Sequence, residues 1–470
     1  MSAPATTEKK YLKWYQKLAY GSGDLASNCS YGLVSSFVLL YLTGTLGLDS
    51  AIIGSLMLAS KVLDGISDVI FGTLIDRTHS KLGKARPWML FGQVGVSLCL
   101  FLLFAIPAGS TTMQYIYFFI VYTALNAVFY TANGIAYSSL VALITKNNNE
   151  RVQLGSFRFM FAVVTNIFMG FAVTGMVEKF GSGAAGWRTT ALIFAIVGLV
   201  VNTISCLAVK ELPEKELSDN TSKAAEEGKA VAEEKKHGFA ETAKILVHNK
   251  YYLMILAIYI VYYIMSNLTT GAGVFCATYY WGDGSLLGQF SMMKMFPVII
   301  ALAIAPVLIK KTGSMQKVNF WGYAISSVLG IPMIYFAMQK NLSMFLLFMF
   351  IKGIFAGTLS GSLNALIAEA SGYTTRTTGI HMDGMMYSCS SLGVKVGGGI
   401  GTAAVGWLLK LGGFVGTATV QSESAIRMIF NLYITFPFVI GIIITVLLAF
   451  LDVEKANKKW DAEHQKEAQA

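Results

Sequence analysis

The sequence predicts an all-α membrane protein of 12 transmembrane helices in two six-helix bundles. Three observations carry this expectation. Of 470 residues, 54% are hydrophobic and only 13% are charged, whereas a soluble domain carries charge on about a quarter of its residues. The mean hydropathy is +0.58. The apolar residues gather into 12 stretches, each of roughly the 20 residues that cross a bilayer as a helix, six on either side of one long charged stretch.

In order, the spans fall near residues 24–47, 51–76, 87–108, 113–143, 153–177 and 187–210, then near 250–280, 286–309, 317–339, 342–370, 379–411 and 425–451. Residues 1–210 therefore form an N-terminal bundle and 250–452 a C-terminal one. The intervening 211–249 contain "ELPEKELSDNTSKAAEEGKAVAEEKK", an Ala- and Glu-rich run that cannot cross a membrane and reads as a cytoplasmic linker with a surface helix. Residues 453–470 are a charged tail. Lys9, Lys10, Lys13 and Lys17 precede span one, and further Lys and Arg follow spans two, four, eight, ten and twelve, while the alternate linkers are nearly free of positive charge, Lys179, Lys340 and Lys410 aside. Positive charge marks the cytoplasmic side, so both termini are expected there.

Composition also excludes. A net charge of +10 suggests nucleic acid at first sight, but the basic residues are scattered through short linkers instead of forming one patch with interleaved aromatics. Each of the five cysteines sits alone in an apolar segment, with no CxxC and no paired His for a metal or redox centre. The polar start carries no cleavable signal pattern. HExxH, P-loop and G-x-S-x-G signatures are all missing, so no enzyme chemistry is expected and no cofactor beyond a transported ion.

Polar groups inside apolar spans are the functional candidates, because a charge at mid-helix costs about 2.5–3.5 kcal/mol on insertion scales. Asp64 and Asp68, at i and i+4 in "KVLDGISDVIF", share a helix face. With an effective dielectric of about 20 and a separation of about 6 Å, their repulsion is about 3 kcal/mol, so the pair either shares a proton or binds a cation. Ser67 adds a hydroxyl oxygen, which suits a hard cation such as Na⁺. Lys395, in "SSLGVKVGGGIG" with Ser391 one turn earlier, is a natural counter-charge on a helix stripped by Gly393, Gly397, Gly398 and Gly399 for close approach. Arg158 opens span five with a donor fork that matches hydroxyls or a carboxylate. Asp24 and Asn28 share a face at the start of span one, and Tyr20, Tyr31, Tyr130 and Tyr137 are candidates to add hydroxyls and stacking faces. Asp76, Arg77, Lys84 and Arg86, in "GTLIDRTHSKLGKARPW", read as a cytoplasmic gate that bridges and releases helix ends.

Together, "YGSGDLASN" at 20–28, "LDGISDVIFGTLIDRTHSKLGKARPW" at 63–88, "YTANGIAYSSL" at 130–140, "ERVQLGSFRF" at 150–159 and "TGIHMDG" through "VKVGGG" at 378–399 resemble the glycoside–pentoside–hexuronide:cation symporters, the melibiose permease-like branch of the major facilitator superfamily. The resemblance implies a major facilitator fold with alternating access. It implies a cation site at Asp64 and Asp68 with Ser67 and Thr131 as further oxygens, Lys395 beside it as the coupling charge, and Arg158 near the sugar. Asp24, Asn28, Asn133, Tyr137, Ser391 and Lys395 complete the implied substrate set, and Arg376 and His381 the gate. The chain departs from the family pattern in span four, where Gly134-Ile135-Ala136-Tyr137 replaces an acid or amide, Ile-Pro and an aromatic, and at His381, where Arg is usual. That His predicts a gate sensitive to pH at about 6 to 7.

The expected function is cation-coupled symport, with Na⁺ or H⁺, of a glycoside or small saccharide across the bacterial cytoplasmic (inner) membrane. The expected protein is a monomer in contact with membrane lipid and not with nucleic acid. Rival expectations are a cation-coupled carrier of a lysolipid or amphipathic compound, and a sensor that does not transport.

Overall fold

The computed structural model describes residues 9–213, 245–380, 383–418 and 420–467. Most of the expected linker, including its surface helix, and His381 lie outside the described residues. Contacts divide the chain into two units, residues 1–48 with 59–236 and residues 49–58 with 237–470. All regular elements among the described residues are helical, which is how a lipid-embedded backbone satisfies its N–H and C=O groups within one segment.

The first unit contains α1 (Trp14–Gly21), α2 (Gly23–Leu40), most of α3 (Ser50–Asp76), α4 (Arg86–Leu103), α5 (Thr111–Thr123), α6 (Thr131–Ile144), α7 (Asn148–Lys179) and α8 (Gly183–Leu207). The second holds α9 (Lys250–Phe275), α10 (Leu286–Thr312), α11 (Met315–Met338), α12 (Leu342–Thr378), α13 (Asp383–Leu411), α14 (Glu423–Phe430), α15 (Phe436–Phe450) and the tail helix α16 (Val453–Glu467). Joined across their π-helical turns and the short breaks at 22 and 451–452, these give 11 segments among the described residues long and apolar enough to cross a bilayer. Helix α3 is the twelfth: its 27 residues suffice in length, but Lys61, Asp64 and Asp68 interrupt the apolar run. The spans at 113–143 and 250–280 contain π-helical turns, Ala124–Tyr130 and Cys276–Tyr280, and others lie at Tyr41–Thr45 and Asn431–Thr435. Each inserts an i→i+5 bond, as from Trp281 N–H to the Cys276 carbonyl at 3.0 Å, a local widening that often accompanies functional sites.

One device recurs in both units. Glu211, just past α8, accepts the amides of Lys84, Ala85 and Arg86 at 2.7, 2.9 and 3.1 Å and so caps the start of α4. Glu454, just past α15, accepts the amides of Met315 and Gln316 at 2.8 and 3.1 Å, together with the Ser314 hydroxyl, and caps the start of α11. A carboxylate is favoured there by the unpaired N–H groups and the positive end of the helix dipole. In each unit the chain leaving the last span thus closes the third. The second unit also packs tightly through small residues: a Cβ on Gly353, Gly357 or Gly361 of α12 would run into Pro297, Ala301 or Leu302 of α10, and one on Gly393, Gly397 or Gly401 of α13 into Tyr259, Ile260 or Ile264 of α9. Such stripes let backbones touch where lipid supplies no hydrophobic drive between helices.

Candidate functional site

The "YGSGD" stretch is a close-packing device. A Cβ on Gly21 would lie 2.6 Å from Phe157 Cβ on α7, and one on Gly23 would lie 2.8 Å from the Tyr137 ring and from Ser205 Oγ. This brings Asp24, at the start of α2, within 2.6 Å of Arg158 Nε, which donates to its Oδ2. The Arg158 guanidinium also lies over the Tyr137 ring, 4.2 Å from its centroid, a stacking geometry that a Lys would not reproduce. Tyr137 is held rigidly, because its hydroxyl donates to the Tyr20 carbonyl at 2.7 Å while the Tyr20 hydroxyl donates to the Tyr137 carbonyl at 2.6 Å. Asn28 donates to the Asp24 carbonyl at 2.7 Å and accepts from Asn166 Nδ2 at 2.9 Å. Four of the residues expected at a sugar, Asp24, Asn28, Tyr137 and Arg158, therefore form one polar cluster on α2, α6 and α7. Asn166 joins them unanticipated, two turns beyond Arg158 on α7.

A second cluster follows along the same bundle. Thr131, the first residue of α6 after the π-helical turn, donates its hydroxyl either to Asp64 Oδ1 at 2.6 Å or to the Asn126 carbonyl at 2.9 Å. The carboxylate, the hydroxyl and the Asn126 carbonyl, which also accepts the Thr131 backbone N–H in the widened turn, make an oxygen-rich corner of the kind hard cations prefer. The other carboxylate oxygen, Oδ2, lies 3.5 Å from Lys61 Nζ, one turn earlier on α3, and both side chains are largely buried at 17% and 14% exposure. Lys61 was not among the expected residues. Its ammonium also stands 5.8 Å from the centroid of the Tyr31 ring, which stacks on Tyr130 at 5.4 Å. Ser67 donates to the Asp64 carbonyl at 2.9 Å, tying its hydroxyl to its own helix, and Asp68 is partly buried one turn along.

The remaining expected residues are placed elsewhere. Asn133 is buried, its Nδ2 donating to Gln93 Oε1 at 2.6 Å between α6 and α4, and so stands apart from the Arg158 cluster. Of the gate set, Asp76 and Arg77 are exposed at the end of α3. Lys84 gives its backbone amide to Glu211. Arg86 is buried within the first unit, donating to the Cys206 carbonyl at 3.1 Å and the Leu82 carbonyl at 3.3 Å. In the second unit Arg376 clasps Asp461 of α16 at 2.9 and 3.3 Å, a bidentate pair with the tail. Lys395 and the exposed Ser391 sit on α13.

The fold likeness is broad: a bacterial homologue of the human lysosomal transporter Spinster, in an inward-facing state, superposes with a TM-score of 0.65 at 13% identity, over 95% of this chain and 97% of that one. Among sequence relatives, the isoprimeverose transporter of Lactiplantibacillus pentosus is 26% identical over 100% of this chain and 96% of its own length. A putative glycoside/cation symporter of Escherichia coli is 24% identical over 95% and 93%. The family model described as MFS/sugar transport protein matches residues 19–455. A partly buried Arg–Asp pair on an aromatic face and an acidic corner rich in oxygen thus occur within a helical membrane chain matched by that model almost end to end, and the chain belongs to the MFS/sugar transport protein family.

Proposed function

We propose that the chain is a secondary active transporter that couples inward movement of a saccharide or glycoside to Na⁺ or H⁺ by alternating access, in the bacterial cytoplasmic membrane with both termini cytoplasmic, working as a monomer. The observation that carries the reading is the Asp64 corner, where a carboxylate, the Thr131 hydroxyl and the Asn126 carbonyl converge at 2.6 and 2.9 Å with Lys61 at 3.5 Å. Lys61 acts as a tethered cation. An arriving Na⁺ or proton competes with it for Asp64, and the displaced ammonium, next to the Tyr31–Tyr130 stack, alters the neighbouring polar cluster. Asp68 supplies the second carboxylate. Asp24 orients the Arg158 fork by accepting from its Nε, the buried Tyr137 ring supports the guanidinium from one side, and Arg158 and Asn28 present donors and an amide group to sugar hydroxyls. Lys395 on α13 keeps the coupling role that the family resemblance implies. Coupling needs only that each ligand favours the other, typically by about 1–3 kcal/mol and by the same factor in both directions.

The test is uptake of labelled α- and β-glycosides, pentosides and glucuronides by cells expressing this chain under imposed Na⁺ or H⁺ gradients, with Asp64→Asn and Asp68→Asn alongside. Accumulation driven by one ion, reduced to downhill exchange in either variant, supports the reading and identifies the ion. Uptake of a saccharide that is indifferent to both gradients and to both variants refutes it.

A further inference from the structure

The second unit contains a cavity of about 180 Å³ lined by side chains of its own spans. Its walls are mostly apolar or aromatic, with Tyr262, Met265, Met349 and Phe438 among them, yet two lysines also line it, Lys294 on α10 and Lys352 on α12. Among the described lining residues there is no Asp or Glu. Lys294 donates to the hydroxyls of Thr269 and Thr270 at 3.2 and 3.3 Å, and these hydroxyls pass their own protons to carbonyls of the same helix. The ammonium is thus hydrogen-bonded but not neutralised. Lys352 has no hydrogen-bond or ion-pair partner among the described residues. Neither residue belongs to the saccharide or cation cluster.

Two cations in a low-dielectric wall without an acid are costly, and charges held inside membrane spans normally mark a ligand or ion path. The tight α10–α12 contact through Gly353 and Gly357 fixes the two helices that carry the lysines, so the site is built and does not require a rearrangement to bring them to one cavity. We propose that Lys294 and Lys352 form an anion-binding site for a small organic acid, with a carboxylate, sulfonate or phosphate group on the two ammonium groups and an apolar or ring-shaped body against the aromatic and Met walls. An acid group held by both ammonium groups gains charge-assisted hydrogen bonds, the stronger class, and the surrounding aromatic area rewards an organic body over a bare inorganic ion.

The experiment uses the purified full-length protein and three probes: benzoate, benzamide, which has the same shape without the charge, and inorganic phosphate. Binding is read by titration calorimetry and by the shift in thermal midpoint. Benzoate should bind at least tenfold more tightly than either benzamide or phosphate, and Lys294→Gln or Lys352→Gln should each weaken it at least tenfold. Without any probe, Lys352→Met should raise the thermal midpoint, since an uncompensated charge is removed, whereas a lysine with a merely structural role would lower it. Equal binding of benzoate and benzamide, equal binding of benzoate and phosphate, or an unchanged benzoate affinity in both Gln variants would overturn the site. Asp64→Asn should bind benzoate as the parent does, so failure here and failure of the cation-coupling reading are separate results.

Discussion

The two units share their scaffolding charges and differ in their buried ones. Glu211 and Glu454 perform the same task at equivalent places, each following the last span of its unit and capping the third. Inside the spans the pattern diverges. The first unit pairs two of its cations with carboxylates, Arg158 with Asp24 at 2.6 Å and Lys61 with Asp64 at 3.5 Å, whereas the second presents Lys294 and Lys352 to a cavity lined by no acid among its described residues. Repeated charges serve the fold and are expected to answer to stability; the charges that are not repeated are expected to answer to ligands.

The largest effect should come from breaking the first unit's compensation. Asp64→Asn leaves the largely buried Lys61 facing an amide, a loss of about 3–5 kcal/mol when one partner of a buried pair is removed, seen as a lower thermal midpoint and loss of gradient-driven accumulation. Adding Lys61→Met should restore most of the midpoint and none of the accumulation, and if it restored accumulation the Asp64 site would not be the coupling site. Next in size is Asp24→Asn, which removes a charge-assisted hydrogen bond worth about 1.5–3 kcal/mol and should weaken saccharide binding by roughly tenfold to a hundredfold, measured by equilibrium binding. An affinity equal to that of the parent would place the sugar away from Arg158. Smaller still, Glu211→Gln and Glu454→Gln should each cost about 1 kcal/mol of stability, matched between the units; a loss confined to one unit in thermal scans would break the repeat.

The smallest effect is a pH dependence. Asp49 accepts from the Ala51 and Ile52 amides and pairs with Lys410 at 2.6 Å. Partial burial pushes its carboxyl up, but the Lys410 ammonium and the two amides outweigh that and hold it below the usual carboxylate range. A depressed carboxyl contributes stability above its unfolded pKa, about 3.9, and loses that contribution as the pH falls through the lower folded value. Asp49→Asn should therefore cost less than about 1 kcal/mol at neutral pH and nothing at a pH below the folded value. A difference that persists in strong acid would contradict the assignment.

Much of this was legible in the sequence, for physical reasons that also mark where legibility stops. Hydropathy over windows of bilayer length locates the spans because lipid demands it, and an i, i+4 acid pair is conspicuous because its cost is so high. The π-helical turns left no such mark, since Ala124–Tyr130 is as apolar as its surroundings. Lys61 hid within the signature of the acid pair it serves, although the rule that singled out Lys395, a lone cation in an apolar run, applies equally to Lys294 in "SMMKMFP" and Lys352 in "MFIKGIF". Asn133 shares a helix face with Tyr137 by spacing, yet the close approach of Gly92 brings α4 against it and Gln93 takes its amide. The partners Glu211 and Asp461 are distant in sequence, and only the fold brings them to Lys84 and Arg376.

The central claim, that Asp64 binds the cation driving saccharide transport, is tested most directly by a reciprocal titration on the purified protein. Saccharide affinity is measured with and without the cation, and cation affinity with and without the saccharide. The account predicts that each ligand tightens the other by the same factor, roughly 5- to 150-fold, and that the factor falls to one in Asp64→Asn. A saccharide affinity indifferent to cation in the parent, or a coupling factor unchanged in the variant, would contradict it.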